Sequence, residues 1–351
     1  CVCVCELTQP RSCFAAALFK ANAGAAPPSP RLDDWERGAH MTAHDHGGWA
    51  AALADGGAAD GPPPAVCLAS GARMPVLGAG FSFQQERVVR EGDGYRAARA
   101  ALQHGVRLLD TAKRYGNEEE VGAAVADAVA AGDVGARTDI FLTTKLWPGD
   151  YGFATAMEAF KRQTTALGVS TLDLFLLHWP GLWRPCTPDT QHSTIVATWQ
   201  ALEELHRHGK CRAIGVSNFL TRHLDRLLPH CSVTPHVNQI EFNPFQNPKD
   251  LLAHCRRHGI QVEGYCPLAK GRVLSHPAVC GIAHKHNCPP AQVLIRWSLQ
   301  HEVVTIPKAA SLPHLKDNMA ALSLRLDAAD MRMLDGLHTN FHVTWDPETV
   351  P

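Results

Sequence analysis

Residues 172–178 read Leu-Asp-Leu-Phe-Leu-Leu-His, a largely apolar run of strand length that ends in a polar side chain. A stretch with helical spacing of its apolar residues follows over 196–209, and residues 212–218 then read Arg-Ala-Ile-Gly-Val-Ser-Asn. A buried strand, a helix and a second buried strand in this order predict two parallel strands joined by a right-handed crossover. The segment therefore indicates a β/α repeat.

The same alternation extends in both directions, from residue 65 to the last residues of the chain. The predicted strands cover 76–80, 106–109, 139–144, 172–177, 212–216, 236–240, 261–264 and 303–306. The predicted helices cover 94–105, 118–131, 153–168, 196–209, 220–229, 248–259, 277–300 and 312–322, with a last one at 327–337. Strand–helix pairs in this number predict an α/β fold, a single-domain (β/α)8 TIM barrel over residues 65–351 with an N-terminal β-hairpin.

A doubly wound sheet is the alternative fold for this alternation. Such a sheet is expected to carry a glycine-rich phosphate-binding turn after an early strand. The segment Gly78-Ala79-Gly80-Phe81 lacks the third glycine at the required spacing, which favours the barrel.

Residues 1–64 differ from the rest of the chain in composition. Residues 14–64 are dense in Ala, Gly, Pro and Asp and show no helical or strand period over a useful length. Such a segment cannot bury enough apolar surface to offset the entropy lost on ordering. We interpret it as a disordered extension. A targeting segment, or a gene-model artefact with the true start at Met41, are the alternatives that the sequence leaves open.

Charge and cysteine content exclude several classes of function. Lys and Arg number 33 against 34 Asp and Glu, which leaves no surplus of cations for a nucleic-acid partner. No apolar run reaches the roughly 20 residues of a membrane-spanning helix. The 12 cysteines lack the paired spacing of a zinc site and are interpreted as thiols of a reducing compartment, the cytoplasm. We expect no membrane span and no metal.

Polar or aromatic side chains stand where the predicted strands end. They are Asp110, Lys145, His178, Ser217 with Asn218, Gln239, Tyr265 and Lys308. In a barrel the carboxyl ends of all strands meet on one face, where the active site lies. Each residue alone has a structural explanation, such as helix capping, but the whole set in register predicts one functional site.

The loop after the second strand carries the most specific chemistry. Tyr115 follows Asp110 by five positions, and a phenol is a weak acid at neutral pH. A neighbouring ammonium, from Lys145, would lower the pKa of the phenol, and the Asp110 carboxylate would hold that ammonium in place. A neutral His178 would polarise a carbonyl oxygen by hydrogen bonding. Together these groups predict proton donation to an oxyanion that forms when hydride adds to a carbonyl.

The chain resembles the aldo-keto reductases in six motifs spread over residues 66–349. They are Gly105-Val-Arg-Leu-Leu-Asp-Thr-Ala-Lys-Arg-Tyr-Gly-Asn-Glu118, Thr144-Lys-Leu-Trp147, Leu172-Asp-Leu-Phe-Leu-Leu-His-Trp-Pro180, Ile214-Gly-Val-Ser-Asn-Phe219, Val237-Asn-Gln-Ile-Glu-Phe-Asn243 and Ile306-Pro-Lys308. The resemblance implies a monomeric NADPH-dependent reductase of aldehydes or ketones on a (β/α)8 barrel.

The resemblance also implies a role for individual residues. Tyr115 would be the general acid, Asp110 and Lys145 would tune it, and His178 would orient the substrate. The residues implied to bind the cofactor are Ser217, Asn218, Gln239, Tyr265, Leu268, Lys308, His314 and Asn318. Ser82 and Trp147, together with His178, would line the substrate pocket.

Two departures from the family pattern bear on specificity. Ala309 and His314 stand where the family usually has Ser and Arg, both of which help to grip the cofactor's 2′-phosphate. NADPH is therefore expected to be preferred by a reduced margin, and NADH remains possible. Gly80-Phe81-Ser82 replaces the usual Gly-Thr-Trp or Gly-Thr-Tyr, so an aromatic wall of the pocket is expected to come from elsewhere.

Two other functions remain open on the sequence. Lys145 could form a Schiff base in an aldolase-type barrel enzyme, although this leaves Ser217, Asn218, Gln239 and Lys308 without a purpose. A regulatory subunit could bind the cofactor without turnover, although the complete catalytic set argues against it.

Overall fold

Eight parallel strands form a barrel in the computed structural model, which describes residue 49 and residues 63–82, 91–308 and 312–351. A two-stranded antiparallel hairpin precedes the barrel, with β1 at Ala65–Cys67 and β2 at Arg73–Pro75. The barrel strands are β3 Ala79–Gly80, β4 Leu108–Asp110, β5 Phe141–Leu146, β6 Leu172–Leu177, β7 Cys211–Ser217, β8 Val237–Glu241, β9 Gln261–Tyr265 and β10 Val304–Ile306. Each pairs in parallel with the next. The predicted barrel and hairpin are confirmed.

The barrel closes between its first and last strands. The amide of Gly78 donates to the carbonyl of Thr305 at 2.9 Å, and the amide of Thr305 donates to the carbonyl of Val76 at 2.9 Å. A Cβ at position 78 would lie 2.5 Å from Cγ of Leu108, so only glycine allows this approach. Residues 76–78 therefore bond to β10, and the strand predicted at 76–80 is seen as the shorter β3.

Helices connect the strands and cover the outside of the barrel. They are α1 Asp93–Gln103, α2 Glu118–Ala130, α3 Phe153–Ala166, α4 Pro188–Arg207, α5 Thr221–Leu227, α6 Lys249–Arg257, α7 Pro277–Lys285, α8 Pro290–Gln300, α9 Leu312–Ala320 and α10 Ala328–Asp335. The long helical region predicted at 277–300 is two helices. Asn287, with φ 49°, leaves the helical conformation, and Pro289 and Pro290 begin α8 because proline suits only the first helical turn.

The hairpin and the lower interior of the barrel share one apolar cluster, here called the base cluster. Its members are Trp49, Val66, Leu68, Ala72, Met74, Val76, Leu77, Leu108, Phe141, Leu174, Leu176, Ala213, Val237, Ile295, Leu299, Val304, Ile306 and Ala321. Several members are the first residues of their strands, namely Leu108, Phe141, Val237 and Val304. The cluster therefore fills the amino-terminal end of the barrel. The carboxyl ends of the strands are left for the site.

Trp49 lies in this cluster and is 8% exposed. The disordered extension predicted for 1–64 falls mostly on residues 1–48 and 50–62, which lie outside the described residues, and for these it stays a prediction. Residues 63 and 64 lead directly into the hairpin.

We expect Trp49→Ala to reduce the free energy of unfolding by about 3 kcal/mol, because truncating a buried tryptophan leaves a cavity. Thermal melts would measure this, with Trp183→Ala as control, since the side chain of Trp183 is 63% exposed. Turnover at room temperature should not change in Trp49→Ala. An unchanged melting temperature would show that Trp49 contributes nothing to the base cluster.

Candidate active site

The carboxyl ends of the strands surround a cavity of about 480 Å³. Its lining includes most of the side chains predicted from the strand ends, together with residues of the loops that follow. They are Gly80, Ser82, Asp110, Arg114, Tyr115, His178, Trp179, Ser217, Asn218, Gln239, Tyr265, Cys266, Pro267, Leu268, Lys270, Gly271, Ile306, Lys308, Thr344 and Trp345.

A buried ion pair lies at the bottom of this cavity. Nζ of Lys145 donates to both carboxylate oxygens of Asp110, at 2.6 and 2.7 Å, and to the carbonyl of Thr111 at 3.0 Å. The same nitrogen lies 3.2 Å from the hydroxyl of Tyr115. Neither Asp110 nor Lys145 is more than 2% exposed. The three side chains predicted to work together are therefore in direct contact.

Local structure fixes the position of Tyr115 relative to this ion pair. Tyr115 ends a one-turn 3-10 helix, Lys113–Tyr115, which follows β4, and Gly116 closes the turn with φ 70°. Asn117 then holds the loop from two sides. The Oδ1 atom of its side chain accepts from the Thr111 hydroxyl at 2.7 Å, and the Nδ2 atom donates to the backbone carbonyl of Phe81 at 2.8 Å.

The charge balance around Tyr115 differs in one respect from the sequence-based expectation. Lys145 lowers the pKa of Tyr115 as predicted, but burial raises it by more and Asp110 raises it further, so the net shift is upward. The hydroxyl thus keeps its proton at neutral pH. A proton donor requires this, and the contact with Lys145 stabilises the phenolate that forms once the proton has left.

His178 lines the same cavity as Asp110 and Tyr115. Its ring packs edge-to-face against Tyr115, with 5.8 Å between ring centroids, and against Trp147 at 5.3 Å. Burial, assisted by the charges of Lys145 and Arg114, lowers the pKa of His178 well below its usual value. The imidazole is therefore neutral, as expected for a group that donates a hydrogen bond to a carbonyl oxygen.

Lys145 itself is held as a cation. Burial acts to lower the pKa of Lys145, but attraction to Asp110 and Tyr115 outweighs this effect and raises the pKa above its usual value. An ammonium with this set of partners is a poor nucleophile, because a Schiff base forms only from the neutral amine.

Three side chains next to the ion pair form a hydrogen-bond network with two backbone carbonyls. The Ser217 hydroxyl donates to the carbonyl of Gln239 at 2.9 Å, and the Asn218 amide donates to Ser217 Oγ and to the carbonyl of His178, both at 3.0 Å. The Tyr265 hydroxyl donates to Oδ1 of Asn218 at 2.7 Å. Asn218 has φ 65°, a conformation that asparagine tolerates better than most residues.

The other residues predicted to bind cofactor occupy two places. Leu268 and Lys308 line the cavity, as does Ser82 from the substrate set, whose carbonyl lies 3.5 Å from Nζ of Lys308. His314 and Asn318 lie on α9, outside the lining. Nδ2 of Asn318 is buried without a hydrogen-bond partner in the described part of the chain.

Residues 76–339 match the family model described as "Aldo/keto reductase family". The chain belongs to this family. Membership confirms the resemblance seen in the sequence and the expected class of enzyme, an oxidoreductase with NADPH as cofactor.

Curated proteins and solved structures of the family are similar over most of their length. A glyoxal reductase from Bacillus subtilis (strain 168) is 38% identical over 283 residues, which is 81% of this chain and 96% of the relative. The uncharacterized oxidoreductase YtbE of the same organism is 37% identical over 282 residues, 80% of this chain and 95% of the relative. A Bombyx mori aldo-keto reductase solved in complex with NADP superposes with a TM-score of 0.75 at 28% identity, covering 82% of this chain and 97% of that one.

Two tryptophans of this aldo-keto reductase, Trp179 and Trp345, line the cavity. Trp147 does not line the cavity itself, but its ring lies 5.4 Å from that of Trp183 and 5.7 Å from that of Trp345. The guanidinium of Arg114 lies 5.4 Å from the Trp147 ring. Trp345 lies in the segment after α10 and lines the same cavity as Ser82, the residue that stands where the family pattern has its aromatic side chain.

The tail that carries Trp345 is the part of the site that sequence reasoning missed. Glu241, at the end of β8, accepts from the amides of Val343 and Thr344 at 2.8 and 3.1 Å and from the Thr344 hydroxyl at 2.5 Å. That hydroxyl also lies 3.0 Å from the Tyr265 hydroxyl. The signal available in the sequence was Glu241 itself, a charged residue at a strand end beside Gln239.

No helix among the described residues has the length and apolar character needed to cross a membrane. The same residues contain no group of three His, Cys, Asp or Glu side chains placed to hold a metal ion.

Proposed function

We propose that this protein reduces aldehydes or ketones with hydride from NADPH, and that Tyr115 donates the proton. The observation that carries the proposal is the contact of Nζ of Lys145 with both the Asp110 carboxylate and the Tyr115 hydroxyl, in a cavity that a neutral His178 also lines. This arrangement presents a protonated donor beside a fixed cation, in a cavity large enough for a small substrate.

Each side chain has a distinct role in this reaction. The His178 imidazole orients the carbonyl by donating a hydrogen bond to its oxygen, and the tryptophan wall shields that oxygen from water. NADPH, when bound, supplies the hydride. Tyr115 transfers its proton to the oxygen as negative charge develops there, and Lys145 stabilises the phenolate that remains. Asp110 keeps Lys145 charged and in place.

The chain's own polar atoms fit such a cofactor. Both hydrogens of the Gln239 amide are donated to carboxyl groups, at 2.9 Å to Asp110 and 2.7 Å to Glu263, which leaves its oxygen as the acceptor for a carboxamide. Tyr265 lines the cavity beside it with a ring suited to stacking. The buried, unpartnered Nδ2 of Asn318 is a donor suited to adenine.

Aldehydes are the favoured substrate class within this proposal. The relative named glyoxal reductase supports a small dicarbonyl as a substrate, and the cavity places no carboxylate other than the paired Asp110 among its described lining residues. Since the site is complete within one chain, we also propose that the enzyme acts as a monomer. Size-exclusion chromatography would test this, and fractionation would test the proposed cytoplasmic location.

The structure favours reduction over the Schiff-base alternative. An aldolase-type lysine must lose its proton to react, whereas Lys145 is fully buried and stabilised as an ammonium by Asp110. The regulatory alternative gives no reason for a protonated tyrosine to contact that lysine.

A spectrophotometric assay tests this function. It follows the nicotinamide absorbance of NADPH with glyoxal, benzaldehyde or a simple ketone as the substrate. Steady consumption of NADPH with an aldehyde, and formation of one alcohol for each NADPH consumed, is the expected result. NADPH binding without turnover on any carbonyl would favour the regulatory subunit.

Cofactor choice gives a separate prediction, based on Lys308 without the usual Ser and Arg companions. A charge-assisted hydrogen bond to phosphate is typically worth about 1.5–3 kcal/mol, so Lys308→Ala should weaken NADPH binding by about one to two decades. His314→Arg should tighten NADPH binding. Neither change should affect NADH, which has no 2′-phosphate.

Dissociation constants from quenching of tryptophan fluorescence would decide this. Lys210→Ala is the matched control, because Lys210 is exposed and precedes β7 at the amino-terminal end of the barrel. Equal effects of His314→Arg on both cofactors would mean that position 314 does not face the 2′-phosphate.

A further inference from the structure

A second carboxyl group, which the proposed reaction does not use, lies beneath the active site. Glu263 is fully buried on β9, two positions before Tyr265. Residues two apart on a strand share a face, so Glu263 lies one layer deeper than the ring that lines the cavity. Its Oε2 accepts from the Gln239 amide at 2.7 Å, and its Oε1 has no hydrogen-bond partner among the described residues.

Gln239 joins this carboxyl group to the catalytic ion pair. Its single amide nitrogen donates to Oδ2 of Asp110 at 2.9 Å as well as to Glu263. The buried network therefore contains two carboxyl groups and one cation, Lys145, whose hydrogen bonds to carboxylates both go to Asp110. Glu263 is left without a cation of its own.

The groups around Glu263 come from the two strands that adjoin β9, which are β8 and β10, and from β4 and β5 across the barrel. β4 contributes the charged Asp110, β5 contributes Lys145, and β8 contributes the uncharged Gln239. On β10 the residue paired with Glu263 is Val304. A buried carboxylate without a matching cation is costly, and burial together with Asp110 raises the pKa of Glu263 to about 8. Glu263 is accordingly protonated at neutral pH before a cofactor binds, because the nearby Lys145 is paired with Asp110.

The nicotinamide ring changes charge during the reaction, from neutral when reduced to positive when oxidised. Under the function proposed above, its carboxamide is held by Gln239, the residue hydrogen-bonded to Glu263. A positive ring in this site would provide the charge that the Glu263 carboxylate lacks. Attraction between opposite charges strengthens in a water-poor interior.

We propose that Glu263 is a charge-sensing positioning residue of the cofactor site. It holds a proton when the site is empty or contains NADPH, and it releases that proton to solvent when the site contains NADP⁺. The step breaks the O–H bond of the carboxyl group and leaves a carboxylate, still hydrogen-bonded to Gln239, whose charge would balance that of the oxidised ring, with no change in oxidation state. In both states Glu263 accepts from Gln239 and so fixes the direction of that amide.

Proton counting on the unmodified enzyme tests this directly. Calorimetric titrations with NADP⁺ and NADPH in two buffers of different ionisation enthalpy give the protons released by each cofactor. At neutral pH we expect NADP⁺ to release close to one proton more than NADPH. The 2′-phosphate is common to both cofactors, so its own titration cancels in the comparison. Equal proton counts for the two cofactors would overturn the proposal.

Affinities measured against pH provide the second test. The ratio of the NADP⁺ to the NADPH dissociation constant should fall about tenfold per pH unit below about pH 8 and level off above it, because one proton is linked to one binding event. Glu263→Gln keeps the acceptor for Gln239 but cannot ionise, so its ratio should not depend on pH. A merely structural role would change both affinities together and leave the slope intact.

Glu118→Gln is the matched control. Glu118 is also buried, and its burial is the main reason that its pKa is raised. Its hydrogen-bond partners, however, are Thr144 and Gln163 rather than Gln239. This variant should retain the extra proton release of the unmodified enzyme. Loss of the pH slope in Glu118→Gln as well would overturn the assignment to Glu263. Failure of either cofactor to bind would instead contradict the proposed function.

Discussion

Tyr115→Phe should lower kcat by about 10²–10⁴-fold, the range that general acid catalysis typically supplies, and leave NADPH affinity near that of the unmodified enzyme. The change removes the hydroxyl that lies 3.2 Å from Nζ of Lys145 and little else. Stopped-flow measurement of a single turnover with NADPH and an aldehyde would report the chemical step, and fluorescence titration would report the affinity.

The control for this substitution is Tyr95→Phe. Tyr95 lies on α1, and its hydroxyl donates to Asp127 at 2.7 Å on the outside of the barrel. Removing it should not alter turnover. If Tyr115→Phe retained more than about half of the activity, another group would have to donate the proton, because losing a general acid costs at least about 10²-fold.

Lys145→Met should abolish turnover to a similar extent for a different reason. Without the ammonium, the Tyr115 phenolate loses its stabilising contact and the pKa of Tyr115 rises further. Asp110 is also left buried without a cation, which typically costs about 3–5 kcal/mol of stability. We therefore expect a loss of activity of at least about 10²-fold, together with a lower melting temperature.

A double variant separates these two effects. Asp110→Asn combined with Lys145→Met removes both charges, so stability should return while activity stays low. Borohydride treatment of the unmodified enzyme with an aldehyde provides the opposing test, since it would trap a Schiff base covalently. Labelling at Lys145 would overturn the reductase mechanism in favour of the aldolase one.

The grouping of the candidate site residues could be predicted from the sequence because each of them is tied to a strand end. Asp110, Lys145 and His178 follow apolar runs whose length sets where the chain leaves the barrel, and parallel strands bring those ends to one face. The structure brings all three together around Tyr115. The direction of the net pKa shift of Tyr115 could not be predicted, because it depends on how deeply the ring is buried.

The parts of the site that the sequence did not reveal have no comparable local signal. Trp345 belongs to a segment without helix or strand, and nothing in its spacing indicates that it reaches Trp147. Glu263 lies inside a predicted strand rather than at its end. The only sequence signal for its position beneath the cavity is that it lies two residues before Tyr265, on the same face of the strand. The helix predicted at 277–300 breaks at Asn287, and Pro289 and Pro290 are the sequence signal for this break. A prediction based only on the spacing of apolar residues does not take these prolines into account.

The tail held by Glu241 has a consequence for how new specificities arise. Thr344 and Trp345 form part of the cavity wall, yet they belong to a segment that contributes no strand to the barrel and packs outside the base cluster. Under the proposed function, exchange of this segment between paralogues would alter which aldehydes are accepted and would leave the proton-donating residues unchanged. Selection, or a designer, could therefore diversify substrate range by recombination within the coding sequence of this one segment, while the strands of the barrel are left unchanged.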